Sequence, residues 1–124
     1  MTVRAATGFA PAALLTVADM AARLTDAGPR FAVGFTHGSL VVELYAPRGI
    51  DRQKPHTRDE VYVVVSGTGS FFVGGQRRKF GPGDLLFVPA GMEHRFEDFT
   101  DDLQAWVIFY GPEGGEGRRE GGSE

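Results

Sequence analysis

Few residues in this chain have the types and spacing to do chemistry. Cysteine is absent, and the histidines are His37, His56 and His94. No thiolate nucleophile, disulfide or Cys-ligated metal site can therefore be built, and any histidine chemistry rests on those three. His56 stands four residues before Glu60 in Pro55-His56-Thr57-Arg58-Asp59-Glu60-Val61-Tyr62. A turn between them would aim a neutral imidazole and a carboxylate at one point, a donor pair suited to a divalent metal. The same spacing is also that of an ordinary surface pair. His94 follows an apolar run and a Pro89-Ala90-Gly91 turn, which fixes where it leaves the backbone. Taken alone, it reads as a hydrogen-bonded structural histidine. His37, in a Thr-His-Gly turn, reads as structural or exposed.

The elements that must position these residues are short and mostly extended. Between residues 31 and 110, glycines punctuate brief apolar runs at 39–45, 61–65, 71–73, 85–88 and 105–110. They are rich in Val, Phe and Tyr, as strands are, and too short for core helices. Gly74-Gly75 predicts a hairpin turn into a strand at 76–80, and Gly81-Pro82-Gly83-Asp84 predicts a second turn. Ahead of them lies one helix signal. Thr16 caps it, Asp19 sits three residues on, and Leu15 and Met20 occupy the staple positions. Val17, Met20, Ala21 and Leu24 repeat on one face, and Gly28-Pro29 ends the pattern after about three turns. Many short strands with one helix predict an antiparallel sandwich or barrel.

Composition sets the outer bounds. The chain has 124 residues, 42% hydrophobic and 23% charged, which suits one globular domain. The net charge of −3 argues against a general nucleic-acid partner. No apolar stretch is long enough for a membrane-spanning helix. The Ala-rich start after Arg4 is broken by Gly8 and Pro11, so it reads as mature protein rather than a leader. With cysteine absent, the expected location is cytoplasmic. Residues 1–30 are expected as an arm and short helix packing on a barrel at 31–111. Residues 112–124, rich in Gly and Glu, have little to bury and are expected to be a disordered tail.

Taken together, the two histidine segments resemble the small single-domain cupins. Gly49, His56, Glu60 and Gly67 match the first motif of that family; Gly83, Pro89, Gly91 and His94 match the second, with Asp98 where Asn is usual. The resemblance covers about residues 38–110. It implies an all-β fold, an antiparallel jelly-roll (cupin) β-barrel with the one short N-terminal helix. It also implies one divalent metal ion (Fe, Mn, Zn or Ni) in the barrel mouth, held by His56, Glu60 and His94. The family's further histidine is replaced by Lys54. Two histidines and a carboxylate still make a three-ligand site with open positions. A shift of the loop by one residue would offer the Gln53 side chain as a weak oxygen ligand. If the Lys54 ammonium points inward instead, it repels a divalent ion and the site is lost.

Strand alternation extends the pocket. If Glu60 points inward, so do Tyr62 and Val64; if His94 does, so does Phe96. Glu43 and Tyr45 share a face with Val41, while Leu40, Val42 and Leu44 form the more apolar face, for the helix or a second subunit. Arg48, Arg52, Lys54 and Arg58 would steer an anionic small molecule, or with Asp51 and Asp59 form a solvated loop. Arg77-Arg78-Lys79 reads as a charged edge strand. Function follows the site rather than the fold. The leading expectation is a metal-dependent small-molecule enzyme of dioxygenase or isomerase type. The alternatives are a non-catalytic binding or sensing module and a metal-free, epimerase-like acid–base enzyme. A generous Phe content, with the resemblance, suggests a homodimer.

Overall fold

A computed structural model describes residues 12–117. The expected arm up to residue 11, and residues 118–124 of the expected tail, lie outside the described residues. Within them one helix, α1 (Val17–Ala21), precedes eight strands: β1 (Phe31–His37), β2 (Leu40–Tyr45), β3 (Asp59–Ser66), β4 (Gly69–Val73), β5 (Gln76–Phe80), β6 (Leu85–Val88), β7 (His94–Glu97) and β8 (Gln104–Tyr110). All pairings are antiparallel. Five strands form one sheet in the order β1-β2-β8-β3-β6, and three form a second in the order β5-β4-β7. The two sheets make the jelly-roll barrel that the motifs implied.

The period of two decides what fills it. Tyr62 and Val64 of β3, Val88 of β6, and Ala105 and Val107 of β8 face Phe71, Phe80 and Phe96 of the smaller sheet. Phe96 is the hub, with ring centroids 4.8 Å from Phe71, 5.0 Å from Tyr62 and 5.3 Å from Phe80. Tilted and edge-on rings in this range attract beyond the area they bury. The core thus lies between the two sheets, and its Tyr62 and Phe71 rings stand beside His94, with centroids 6.1 and 6.3 Å away.

Three expectations change. The helix is capped as read, with Thr16 Oγ1 accepting from the Asp19 amide at 3.0 Å, but it ends at Ala21 rather than near Gly28. There the chain tightens into turns, Arg23 N–H to Met20 O and Leu24 N–H to Ala21 O. The Arg23 guanidinium meanwhile donates to the Val33 carbonyl of β1. Second, 31–37 is a strand that the apolar runs did not reveal. Gly34 interrupts its pattern, and the register slips there between Val33 and Phe35. A Cβ at Gly34 would meet the tip of the Leu15 side chain at 2.5 Å, so the segment that leads into α1 packs directly on the strand there. Third, residues 112–117 do not leave the barrel. Gly114 N–H donates to Thr57 O at 2.6 Å and Glu116 N–H to Asp59 Oδ2 at 2.8 Å.

Candidate metal centre

Two loops bring the motif residues together. The Pro89-Ala90-Gly91 turn is hydrogen-bonded to the β2–β3 loop and the start of β3: Gly91 N–H donates to His56 O at 2.7 Å, and Ala90 N–H to Asp59 Oδ1 at 2.9 Å. β6 pairs directly with β3, Glu60 opposite Val88. His56 and His94, 38 positions apart in sequence, therefore face each other with ring centroids at 5.3 Å. One donor atom each from His56, Glu60 and His94 lies within 4.8 Å of the others. Glu60 is fully buried, His94 nearly so, and His56 is half-buried at the cavity wall.

The polar bookkeeping there is unbalanced. His94 Nδ1 lies 2.9 Å from the Met92 carbonyl, which fixes the proton on Nδ1 and leaves Nε2 as a lone pair facing inward. Nε2 is 3.3 Å from Glu60 Oε1, but not in hydrogen-bonding alignment. Both Glu60 oxygens and His94 Nε2 are buried with no hydrogen-bond partner among the described residues. Buried polar groups are normally paired, and an unpaired carboxylate is the costliest to leave so. Burial pulls the His56 ring below its ordinary pKa, against Glu60. For His94 burial also works against the charged form, but Glu60 and the Met92 carbonyl outweigh it and raise the group. A proton or a cation would thus answer the Glu60 charge. Neutral imidazoles, a carboxylate and unsatisfied lone pairs fit a divalent cation.

The site opens into a cavity of about 700 Å³. Glu43, Tyr45, Gln53, His56 and Glu60 all line it, with Val107 and Phe109. The Phe109 and His56 rings pack edge to face with centroids 4.9 Å apart. Glu43 is partly buried, and its carboxyl is raised by that burial and then by Glu60. Tyr62 and Phe96 lie in the wall behind the centre, fully buried. Burial first, then Glu60, keeps the Tyr62 phenol well above its usual range, and it donates to Gln53 Oε1 at 2.8 Å. His37 is exposed and outside the cluster.

The loop before β3 is not a uniformly solvated one. Lys54 and Arg52 are exposed, but Asp51 and Asp59 are buried. Asp51 accepts from Tyr45 Oη (2.5 Å), Gln53 Nε2 (2.9 Å), Gln53 N (3.2 Å) and Phe96 N (2.8 Å). The only hint in the sequence is its place two residues before Gln53.

The model of the cupin domain family matches residues 41–109, more than half the chain. The protein is a cupin. An uncharacterised protein of Streptomyces coelicolor is 44% identical over 63 residues, 51% of this cupin and 60% of that protein. Acireductone dioxygenase of Bacillus subtilis is 44% identical over 50 residues, 36% of this chain and 28% of the enzyme. Dimethylsulfoniopropionate lyase DddQ of Ruegeria pomeroyi is 30% identical over 70 residues, 55% of this chain and 35% of the enzyme. The solved DddQ structure superposes with a TM-score of 0.56 and 28% identity, covering 66% of this cupin and 47% of that chain. The chain spans less than two thirds of each of these relatives.

Proposed function

We propose that this cupin is a divalent-metal-dependent enzyme acting on a small molecule, with His56, Glu60 and His94 as ligands. The observation that carries this reading is the buried, unpaired Glu60 carboxylate converging with the bare Nε2 of His94. A bound metal would supply Lewis acidity or oxygen activation at open positions facing the cavity. The chain's own groups would do the rest. Met92 O fixes the tautomer of His94, Phe109 packs against the His56 ring, and Glu43 places a carboxyl on the cavity wall beside Glu60. The exposed position of Lys54 removes the objection that a cation stands in the centre. Similarity to both a dioxygenase and a lyase leaves the reaction to be set by metal and pocket.

The substrate we favour is a small anion with an apolar part. Arg52 lines the cavity with Phe31 and Ile50, beside Arg30 and an Arg48 that is paired with Asp26 at 2.7 Å. We further propose that the molecule works as a homodimer. The test of the metal reading is elemental analysis of protein purified without an affinity metal, beside a His56→Ala/His94→Ala variant. Near-stoichiometric iron, manganese, nickel or zinc in the parent and none in the variant is expected. A parent that takes up no metal even after reloading ends the proposal.

A further inference from the structure

We propose that Gln53 is a fourth metal ligand, through its side-chain carbonyl oxygen Oε1. This rests on reading His56, Glu60 and His94 as a metal centre, and it concerns the position where Lys54 replaces a histidine. Three observations lead to it.

The first is placement. Of the two neighbours, Lys54 is exposed, while Gln53 is half-buried and lines the cavity with His56 and Glu60. The second is orientation. A carboxylate accepts only, so the Gln53 NH₂ must face Asp51, and Oε1 must face the other way, toward His56. Asp51 is itself fixed by Tyr45 Oη from β2 and by the Phe96 amide from β7, so the amide cannot easily flip. The third is spacing. Gln53 Oε1 and His56 Nε2 are 3.4 Å apart, long for a hydrogen bond. Two donors on one cation with bonds of about 2.1 Å stand about 3.0 Å apart at right angles and about 3.4 Å apart in a tetrahedron. His94 Nε2 to Glu60 Oε1 is 3.3 Å and His56 Nε2 to Glu60 Oε1 is 3.8 Å, so the Gln53 spacing belongs to the same set. Tyr62 Oη occupies one lone pair of Oε1 and leaves the other. The result is one carboxylate, two imidazoles and one neutral carbonyl oxygen around the ion.

The experiment compares metal affinity, by competition with a chelator for Zn²⁺, and the visible spectrum of the Co²⁺-loaded protein. Gln53→Ala should weaken Zn²⁺ by at least the about tenfold that losing even an outer-sphere partner costs, and should change the Co²⁺ bands. Gln53→Leu, which keeps most of the bulk and offers no donor atom, should behave the same way and serves if the alanine variant fails to fold. Tyr62→Phe removes the outer hydrogen bond to Oε1 but keeps the oxygen itself, so it should weaken Zn²⁺ clearly less than either Gln53 variant and keep the Co²⁺ band pattern of the parent's ligand set. Unchanged affinity and bands in both Gln53 variants, with metal lost only in His56→Ala/His94→Ala, would overturn the role of Gln53 and leave the metal centre standing. A loss in Tyr62→Phe as large as that in Gln53→Leu would reduce Gln53 to a hydrogen-bonding wall. A parent without metal would remove both readings.

Discussion

Asp51 shows at the level of one residue what a sequence can and cannot give. His56, Glu60 and His94 were legible because their types are rare here and their spacing fits a motif. Asp51 looked like a charge balancing its basic neighbours in a solvated loop. Its burial depends on partners 6 and 45 positions away, Tyr45 and Phe96, which no local pattern records. Replacing it by alanine strands the Tyr45 hydroxyl, the Gln53 amide and the Phe96 N–H without an acceptor. Asp51→Ala should therefore lower unfolding free energy by about 3 kcal/mol, each stranded buried group costing about 1–3 kcal/mol. Asp51→Asn, which keeps one acceptor oxygen, should lose clearly less. Urea denaturation of the metal-free proteins measures both, and two equal losses would contradict the hydrogen-bond account.

Among the elements, the turns were read more accurately than the helix. Gly74 and Gly75 both have positive φ, 58° and 84°, as a tight two-residue hairpin requires. Asp98, which stands where the motif usually has Asn, has φ 50°, a left-handed conformation those two residues tolerate best. The helix was overextended because periodicity through Leu24 says nothing of the Arg23 bond to β1. Gly67 closes the first motif for a reason that only the folded chain supplies. Its φ is 92°, and a Cβ there would lie 2.6 Å from Leu103 Cα. Neither problem can be relieved by turning a side chain. Gly67→Ala should cost about 1–3 kcal/mol from the backbone conformation alone, and more from the contact. Gly38→Ala, also at positive φ but with open space around it, should cost less. Thermal unfolding of the pair separates strain from collision; matching Tm values would discount the contact with Leu103.

At the scale of the whole molecule, the barrel was legible from motif spacing and the apolar face under the helix from strand alternation, but the exposed continuation of that face was not. α1 covers β1 and β2 on the outside of the larger sheet. Farther along that face, Val61 and Val63 stand opposite Phe87 and Leu85, with Ile108 and Trp106 in the next strand. Leu85 and Phe87 are 64% and 49% exposed. Covering that face is the role we give a second copy. Phe87→Glu should then halve the mass measured by light scattering while leaving metal content at the parent's level; a monomeric parent would rule the pairing out. The loop that carries His56 is fastened by residues far along the chain: Gly114 to Thr57, and Glu116 to Asp59. Synthesis runs from the N-terminus, so the candidate ligands emerge from the ribosome well before their clasp does. A nascent chain halted after Tyr110 would hold every proposed ligand yet lack the clasp. Completion of the loop around His56 would thus wait for residues 114–116, a pairing across more than fifty positions of the kind that slows folding.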